Sequence, residues 1–322
     1  MSMGILMGPV GLLFIVLGFV TFAILFERKV IGWMQARIGP NRVGPWGMLQ
    51  TVADILKLLI KEDTIPSKAD HPLFKWAPVI AFVPSFAVLA VIPFTDQWVF
   101  ADLGVGLLYY IAVSSITTIG MLAGGWASNN KYALLGALRS VAQMISYEIP
   151  LIMSVVGVIL SAQTLNLTKI VEAQEDLWFI VPQFLGFIVF FIASLAELNR
   201  TPFDLPEAES ELVAGYHVEY SGFRFAFFML AEYVYVFAMA SLTTVLFLGG
   251  WKPVFGLDLV PPILWFSLKF LLVVFSLFWI RATLPRIRMD QLMQLGWKLL
   301  LPLALLNIFL SAVLKEVFPG VY

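Results

Sequence analysis

Six carboxylates stand close together near the middle of the chain, between two strongly apolar segments. The stretch 196–222 contains Glu197, Asp204, Glu207, Glu209, Glu211 and Glu219. Arg200 is the single formal positive charge in the same stretch. Carboxylates that cluster at low dielectric cannot all ionise, so they share protons and some of their pKa values rise. The pattern predicts a group that binds and releases protons near neutral pH, and a solvated acidic surface is the alternative.

Two further acids, Glu148 and Glu232, fall inside segments that are apolar enough to cross a membrane. A charged side chain at the centre of a bilayer costs roughly 3 kcal/mol or more, so such a residue indicates function by default. The alternative is a structural hydrogen bond or ion pair, for Glu148 with Arg139. We predict a proton-handling chain that begins in the stretch 196–222 and continues toward Glu148 and Glu232.

Polar residues also gather where the first apolar segment ends. The set comprises Glu27, Arg28, Lys29, Gln35, Arg37 and Arg42. Snorkelling of long side chains at a helix end is the alternative explanation for Arg28 and Lys29. Arg37 and Arg42 instead lie among two Gly-Pro pairs, which impose turns. This arrangement favours a slot, open to lipid and lined with cations, that would suit a lipophilic substrate with a polar head.

The segment that follows has the spacing of an amphipathic helix. In 46–61 the polar residues Gln50, Asp54, Lys57 and Lys61 recur at offsets of four, three and four, which is one stripe of a 3.6-residue period. The wide apolar face and the short length predict a helix that lies along the membrane surface. Such a helix could wall the slot, and a plain interfacial anchor is the alternative.

The composition places all of these residues in a membrane protein. Of 322 residues, 60% are hydrophobic and only 13% are charged, against about 25% charged in a typical soluble domain. The formal net charge of −1 gives no indication of a nucleic-acid partner. The absence of cysteine excludes a thiolate-held iron–sulfur cluster or zinc site in this chain. The two histidines, His71 and His217, lie far apart and do not favour a metal site.

Eight apolar segments are long enough to cross a hydrocarbon core of about 30 Å, which takes ~20 helical residues. They run over 4–26, 77–94, 105–125, 143–162, 178–196, 225–249, 262–282 and 299–317. The runs are continuous and lack the alternation of barrel strands, so helices are predicted. We expect an all-α polytopic membrane protein that forms one integral domain over 1–322, with a surface helix over 46–61 and an acidic loop over 197–224. The small-xxx-small spacing of GMLAG at 120–124 predicts close helix packing.

Most of the 20 Lys and Arg residues lie in the loops after the first, third, fifth and seventh predicted spans. The positive-inside rule therefore places these loops, including the acidic loop, in the cytoplasm and both termini outside. A bacterial plasma membrane is the expected location, and an organellar inner membrane is less favoured.

Five ordered blocks of the sequence carry a family resemblance. They read ERKVIGWMQARIGPNRVGPWGMLQ, ADILKLLIKE, SYE, AELNRTPFDLPEAESELVAGYHVEYSG and LPRIRMDQLMQLGWKLLLP. The chain resembles the H subunit family of NADH-quinone oxidoreductase, whose members are the membrane component at the quinone tunnel of respiratory complex I. The resemblance covers nearly the whole chain, and its GPNRVGP and NRTPFDLPEAESELV blocks are long enough to be highly specific.

The resemblance assigns roles to two sets of residues. Its quinone-binding set comprises Glu27, Arg28, Gln35, Arg37, Asp54, Lys57, Glu62, Arg281 and Arg286. Its proton path comprises Glu148, Glu197, Asp204, Glu207, Glu209, Glu211, Glu219 and Glu232. The first set would line the tunnel through which quinone enters from the bilayer. The second would link the quinone cavity to the antiporter-like subunits.

The resemblance also implies a subunit of a multi-subunit, proton-translocating NADH:quinone oxidoreductase, without a redox centre of its own. Quinone, as ubiquinone or menaquinone, would be the substrate. The chain would hold no metal, flavin or iron–sulfur cluster, and no catalytic residue by itself. Expected partners are the other membrane-arm subunits, the quinone-site and terminal iron–sulfur subunits of the peripheral arm, and lipids, with no nucleic acid.

Three other functions stay open. The homologous subunit of a complex with a non-NADH donor, or of a membrane-bound hydrogenase, would have the same fold, although GPNRVGP favours quinone use. A stand-alone proton-coupled transporter predicts inverted repeats and broken helices, which the sequence does not contain. A passive membrane anchor would leave Glu148 and Glu232 without a purpose that offsets their cost.

Overall fold

A computed structural model of the chain describes residues 2–175, 177–204, 215–253 and 260–317. In these ranges the chain forms α-helices joined by 3-10 and π-helical turns, with no strand. The α-helices are α1 (Ser2–Met34), α2 (Gln50–Ile60), α3 (His71–Ala87), α4 (Gly106–Ala127), α5 (Lys131–Ala162), α6 (Leu167–Glu172), α7 (Phe184–Glu197), α8 (Gly222–Phe247), α9 (Pro262–Thr283), α10 (Met289–Gln294) and α11 (Leu301–Val317). The prediction of an all-α polytopic membrane protein is confirmed.

Seven helical segments of the described ranges are long and apolar enough to cross a membrane. They are Val10–Met34, His71–Val91, Gly106–Ala127, Lys131–Ala162, Gly222–Phe247, Pro262–Thr283 and Met289–Val317. The remaining predicted span, at 178–196, is the apolar helix α7, which has 14 residues. A helix of that length covers about 21 Å, less than the hydrocarbon core.

Helix α7 is shorter than predicted because residues 178–183 form turns. The side-chain oxygen of Gln174 accepts hydrogen bonds from the backbone N–H groups of Phe179 at 3.2 Å and Gly249 at 3.0 Å. These contacts hold the apolar turn, and regular helix begins only after Gln183. Hydropathy does not distinguish a buried apolar turn from a helix, so the predicted span is too long.

The bounds of helices α1 and α5 also differ from the predicted ones. Helix α1 continues past the predicted end at residue 26 to Met34, so Glu27 and Arg28 lie on a helix and not in a loop. Helix α5 begins at Lys131 instead of residue 143, which places Glu148 near its middle. Polar residues in the first turns of α5 hide this start from the hydropathy pattern.

The predicted surface helix is α2, which begins four residues later than predicted. A 3-10 turn precedes it, and Trp46 in that turn has a left-handed φ of 57°, which a helix cannot contain. The apolar residues Ile55, Leu56 and Ile60 of α2 are 42%, 53% and 85% exposed. This uncovered apolar face is the surface that a membrane-surface helix would place in lipid.

Close packing around α8 positions the site. Helix α8 contacts α1, α3 and α9, and its second half is buried almost throughout. Helices α3 and α4 pack most extensively, and a Cβ at Gly120 would lie 2.5 Å from the backbone nitrogen of Ala81. The packing predicted for GMLAG is therefore confirmed at Gly120, where the two backbones meet.

Candidate functional site

Glu27 of helix α1 is a buried carboxylate that is only 2% exposed. Arg200 places Nη1 3.4 Å from its Oε1, and Arg281 of α9 forms an ion pair with the same oxygen. The hydroxyl of Tyr233 on α8 donates a hydrogen bond to Oε2 at 2.7 Å. Burial of a charge is tolerated where partner charges and hydrogen bonds replace the lost hydration. Here they come from three separate parts of the chain.

Arg200 connects Glu27 with a second carboxylate, Glu232 of α8. Its Nη2 lies 3.8 Å from Oε2 of Glu232, and its guanidinium lies over the ring of Tyr233, 4.4 Å from the ring centroid. The hydroxyl of Tyr216 donates to Oε1 of Glu232 at 3.1 Å. The arginine–carboxylate cluster consists of Glu27, Arg200, Glu232 and Arg281. Its formal charges balance, so proton gain or loss by either acid changes the net charge of the cluster.

A small internal cavity is lined by both Glu232 and Glu197, the last residue of α7. Its volume is about 20 Å³, which is enough for one water molecule. Glu197 is 7% exposed, and its Oε2 has no hydrogen-bond partner in the described part of the chain. Thr117 and Asn199 supply further polar lining. The geometry allows a water molecule between the two carboxylates.

Glu148 lies apart from this cavity and accepts a hydrogen bond from the hydroxyl of Ser115 on α4. The distance along α5 from Arg139 to Glu148 is about 14 Å, because nine residues separate them. The hydrogen bond that Glu148 accepts comes from Ser115 on the neighbouring helix α4. The hypothesis of an ion pair with Arg139 on the same helix gains no support from this geometry.

The other predicted proton-path acids have separate partners. Glu219 accepts a hydrogen bond from Nδ2 of Asn130 at 2.6 Å, at the start of α5. Asp204 lies 3.1 Å from Nη2 of Arg286. Burial raises the pKa of Asp204, against the opposing influence of Arg286 and Arg281. Glu207, Glu209 and Glu211 lie outside the described residues.

An open cavity of about 740 Å³ lies between the end of α1 and the turn-rich segment after it. Its lining residues are Arg28, Ile31, Arg37, Ile38, Gly39 and Pro40. This first-loop cavity has the mixed cationic and apolar lining expected of the slot, but no residue of α2 lines it, although the sequence predicts that helix as a wall. Arg28 and Arg37 are thus the two predicted quinone-binding residues that line it.

Most other predicted quinone-binding residues are held close to these two arginines or to the cluster. Asp54 of α2 forms a 2.6 Å ion pair with Arg28, and Gln35 accepts a 2.7 Å hydrogen bond from Nε of Arg37. The side chains of Lys57 and Glu62 are exposed and line no part of the first-loop cavity. Lys57 lies in the last turn of α2, and Glu62 follows that helix.

Comparison with known proteins identifies the family of this chain. A family model described as NADH dehydrogenase matches residues 8–312. The H subunit of NADH-quinone oxidoreductase from Geobacillus sp. strain WCH70 is 70% identical over 308 residues, which cover 95% of this chain and 92% of that protein. The chain belongs to the H subunit family of NADH-quinone oxidoreductase.

Two further relatives of the family carry the same name. The proteins of Anoxybacillus flavithermus and Bacillus thuringiensis are each 70% identical, over 310 and 308 residues respectively. The first match covers 96% of this chain and 93% of its relative, and the second covers 95% of this chain and 92% of its relative. The family resemblance inferred from the sequence is confirmed. The chain is a multi-pass membrane protein and one subunit of a multi-subunit enzyme.

Sequence reasoning misses three members of the site. From the sequence Arg200 is only a loop cation, although its position among six acids is a usable signal. The sequence does not indicate a role for Tyr216 of the acidic loop, yet its hydroxyl contacts Glu232. The sequence also does not indicate that His217 is buried, but it is 8% exposed. Burial lowers the pKa of His217, against the opposing influence of Glu232.

Proposed function

We propose that this chain forms the entry and one wall of the quinone cavity in a proton-pumping NADH-quinone oxidoreductase. It would couple quinone reduction to proton translocation through its carboxylates. The names of the relatives support NADH as donor over the hydrogenase alternative. Electrons would come from a terminal iron–sulfur subunit of the peripheral arm, because the chain has no cysteine to hold a cluster. The substrate would be ubiquinone or menaquinone.

The observation that carries the proposal is the position of Arg200 between two buried carboxylates. One nitrogen faces Glu27 at 3.4 Å and another faces Glu232 at 3.8 Å. A change in the charge of Glu27 therefore alters the field at Glu232 through a shared cation. A passive anchor has no use for a buried arrangement of this kind, which is costly to assemble.

The first-loop cavity supplies the place where the charge change would begin. Its lining residue Arg28 follows Glu27 directly in helix α1. Quinone reduction adds negative charge and requires two protons. A unit charge about 10 Å from a carboxylate, at an effective dielectric of about 20, changes the energy by roughly 1.7 kcal/mol. That energy shifts a protonation equilibrium by more than about tenfold.

The remaining acids would carry the proton change away from the quinone. Tyr233 contacts Glu27, Tyr216 contacts Glu232, and a water-sized cavity separates Glu232 from Glu197. Hydroxyl groups and water both donate and accept hydrogen bonds, so they can pass a proton between acids. Glu148, Asp204, Glu207, Glu209, Glu211 and Glu219 are proposed to extend this path. Neighbouring membrane-arm subunits would receive the signal and pump.

Replacement of Glu232 by Gln in the assembled complex tests the proposal. We expect NADH-driven proton uptake by membrane vesicles and quinone reduction to fall at least about tenfold, because a proton-exchanging group is lost. NADH oxidation by a water-soluble acceptor at the peripheral arm should persist and report assembly. Glu175→Gln is the control, since Glu175 has a side chain that is 74% exposed and is paired with Lys252. Normal pumping by an assembled Glu232→Gln complex would refute a relay through the cluster.

A further inference from the structure

A second large cavity lies at the opposite end of helix α1 from Glu27. Its volume is about 650 Å³, within the range of ligand pockets. Helices α1 and α9, Phe237 of α8 and the connecting segment 94–100 form its walls. The lining is apolar and aromatic apart from Gln97, Ser267 and the indole of Trp98. We term it the distal cavity.

Three aromatic rings close the inner end of the distal cavity. Phe19 lies 5.0 Å from Phe237 and 5.3 Å from Phe270 between ring centroids, and Phe237 lies 4.9 Å from Phe270. Glu27 lies eight residues beyond Phe19, about 12 Å farther along α1. The distal cavity is therefore separate from the arginine–carboxylate cluster.

The depth of the distal cavity corresponds to one leaflet of a bilayer. Its lining on α1 runs from Gly8 to Phe19, which is about 17 Å of helix. Half of a hydrocarbon core of about 30 Å is ~15 Å. An acyl chain that is anchored at the membrane surface extends over the same distance.

Two glycines on α1 leave the wall of the distal cavity without side chains at their positions. A Cβ at Gly11 meets no atom within 4 Å in the described part of the chain, whereas a Cβ at Gly8 would lie 3.1 Å from the ring of Phe100. Both glycines line the cavity. A side chain at residue 11 would project into open space, so the absence of one leaves room for a ligand.

The distal cavity opens onto apolar side chains that are exposed in this chain. Ile15 of α1 and Leu271 of α9 line it and are 54% and 55% exposed. Trp98, at its outer end, is 58% exposed, and tryptophan is typical of the level of the lipid headgroups. Gln97 lies beside it and supplies hydrogen-bonding groups. We propose that the distal cavity binds one acyl chain of a phospholipid from the leaflet opposite the acidic loop, with the headgroup near Gln97 and Trp98.

Photolabelling of the purified whole complex tests this site. The complex is reconstituted into phosphatidylglycerol vesicles that contain a small fraction of phospholipid with a diazirine near the end of one acyl chain. We expect labelled peptides to concentrate at the inner end of the distal cavity, at 15–19 of α1 and 266–271 of α9. This labelling should exceed the level at Leu305 and Leu306 of α11, which are 51% and 48% exposed in this chain. Equal labelling of α11 in the wild-type complex would overturn the proposal without any variant.

Two matched variants refine the test. Gly11→Leu projects a side chain into the distal cavity and displaces about two methylene groups of the chain, so labelling at 15–19 and 266–271 should fall roughly tenfold. Gly18→Leu is the control, because a Cβ at Gly18 also meets no atom within 4 Å in the described ranges and Gly18 does not line the cavity. Unchanged labelling in Gly11→Leu would overturn the site. Displacement of the label by a long-tailed quinone, with no displacement by unlabelled phospholipid, would assign the cavity to quinone and overturn the phospholipid.

Discussion

Tyr233 donates a hydrogen bond from its hydroxyl to Oε2 of Glu27 at 2.7 Å, although 206 positions separate the two residues in sequence. The neighbouring residue on α8 is Glu232, which contacts Arg200 and Tyr216. One turn of α8 therefore supplies one carboxylate of the arginine–carboxylate cluster, Glu232, and the hydroxyl that contacts the other, Glu27. In the proposed relay, a change in protonation at Glu27 would reach Glu232 through Arg200, which contacts both.

Replacement of Tyr233 by Phe removes this donor and keeps the ring that lies against Arg200. A hydrogen bond to a charged group contributes about 1.5–3 kcal/mol, so the variant loses one of the contacts that hold the buried Glu27 carboxylate. We expect NADH-driven proton pumping in membrane vesicles to fall about tenfold or more while the complex stays assembled. Tyr132→Phe, at a tyrosine of α5 that is 42% exposed, is the control. Pumping at the wild-type rate would remove Tyr233 from the relay.

Replacement of Arg37 by Ala tests the first-loop cavity. A residue that binds the substrate and the transition state equally well affects KM and leaves kcat unchanged. An exposed cation contributes about 0.2–1 kcal/mol, so we expect KM for quinone to rise roughly two- to fivefold. The measurement is turnover over a range of quinone concentrations, with Lys68→Ala, at an exposed lysine outside this cavity, as control. Identical kinetics in Arg37→Ala and wild-type complexes would count against a tunnel role for this residue.

Seven of the eight predicted spans and the family could be predicted from the sequence, because hydropathy reports burial in lipid and the GPNRVGP block is specific. The partners of Glu27 could not. Arg200 and Arg281 lie 173 and 254 positions away in sequence, and no local pattern pairs residues at such separations. The pairings depend on how α1, α8 and α9 pack.

The predicted helix bounds fail where polar side chains change the local backbone. Gln174 holds an apolar turn where the sequence predicts the start of a fifth span, and Asn130 caps α5 thirteen residues before the predicted start of the fourth span. The burial of His217 could not be predicted for a related reason. It belongs to the acidic loop in the sequence, but Phe225 of α8 and Tyr216 pack against its ring at centroid distances of 5.3 Å and 4.9 Å.

His217 should make the complex less stable in acid. Burial lowers its pKa below the ordinary value of 6.5, so the folded state binds fewer protons than the unfolded state in that window. The stability contributed by neutral His217 is present above pH 6.5 and is lost as the pH falls through the lower folded-state value. We expect the Tm of the wild-type complex, relative to His217→Asn, to decrease as the pH is lowered below about 6.5.

The chain contains a matched control for this pH dependence. His71 is the other of the two histidines, and it is exposed at the start of α3. His71→Asn makes the same substitution at an exposed position and is measured over the same pH range. A Tm difference between wild type and His217→Asn that is constant from pH 5 to pH 8 would contradict a buried, neutral His217.

Replacement of Gly120 by Ala should destabilise the packing of α3 against α4. The added Cβ would lie 2.5 Å from the backbone nitrogen of Ala81, a contact that requires the helices to move apart. Overpacking of this kind costs about 1–3 kcal/mol. We expect a lower Tm and a lower yield of assembled complex. Gly18→Ala, where a Cβ has open space, makes the same change in helix propensity and should have no such effect.

Replacement of Glu197 by Gln tests the step across the water-sized cavity. The amide keeps the size of the side chain and its hydrogen-bonding ability but removes the site that gains and loses a proton. We expect quinone-linked proton pumping to fall at least about tenfold, with peripheral NADH oxidation unchanged. Glu219→Gln is the informative comparison. Glu219 precedes α8 and lies beside the start of α5, where it accepts a hydrogen bond from Asn130 that a glutamine oxygen can also accept.

The two variants together locate the path. Loss of pumping in Glu197→Gln alone would confine the relay to the cluster and the cavity beside it, where Glu197 and Glu232 share a wall. Equal losses in both variants would extend the relay to Asn130 and the start of α5. Full pumping in an assembled Glu197→Gln complex would mean that no proton crosses the cavity, and the charge change at Glu232 would then have to leave the cluster by another route.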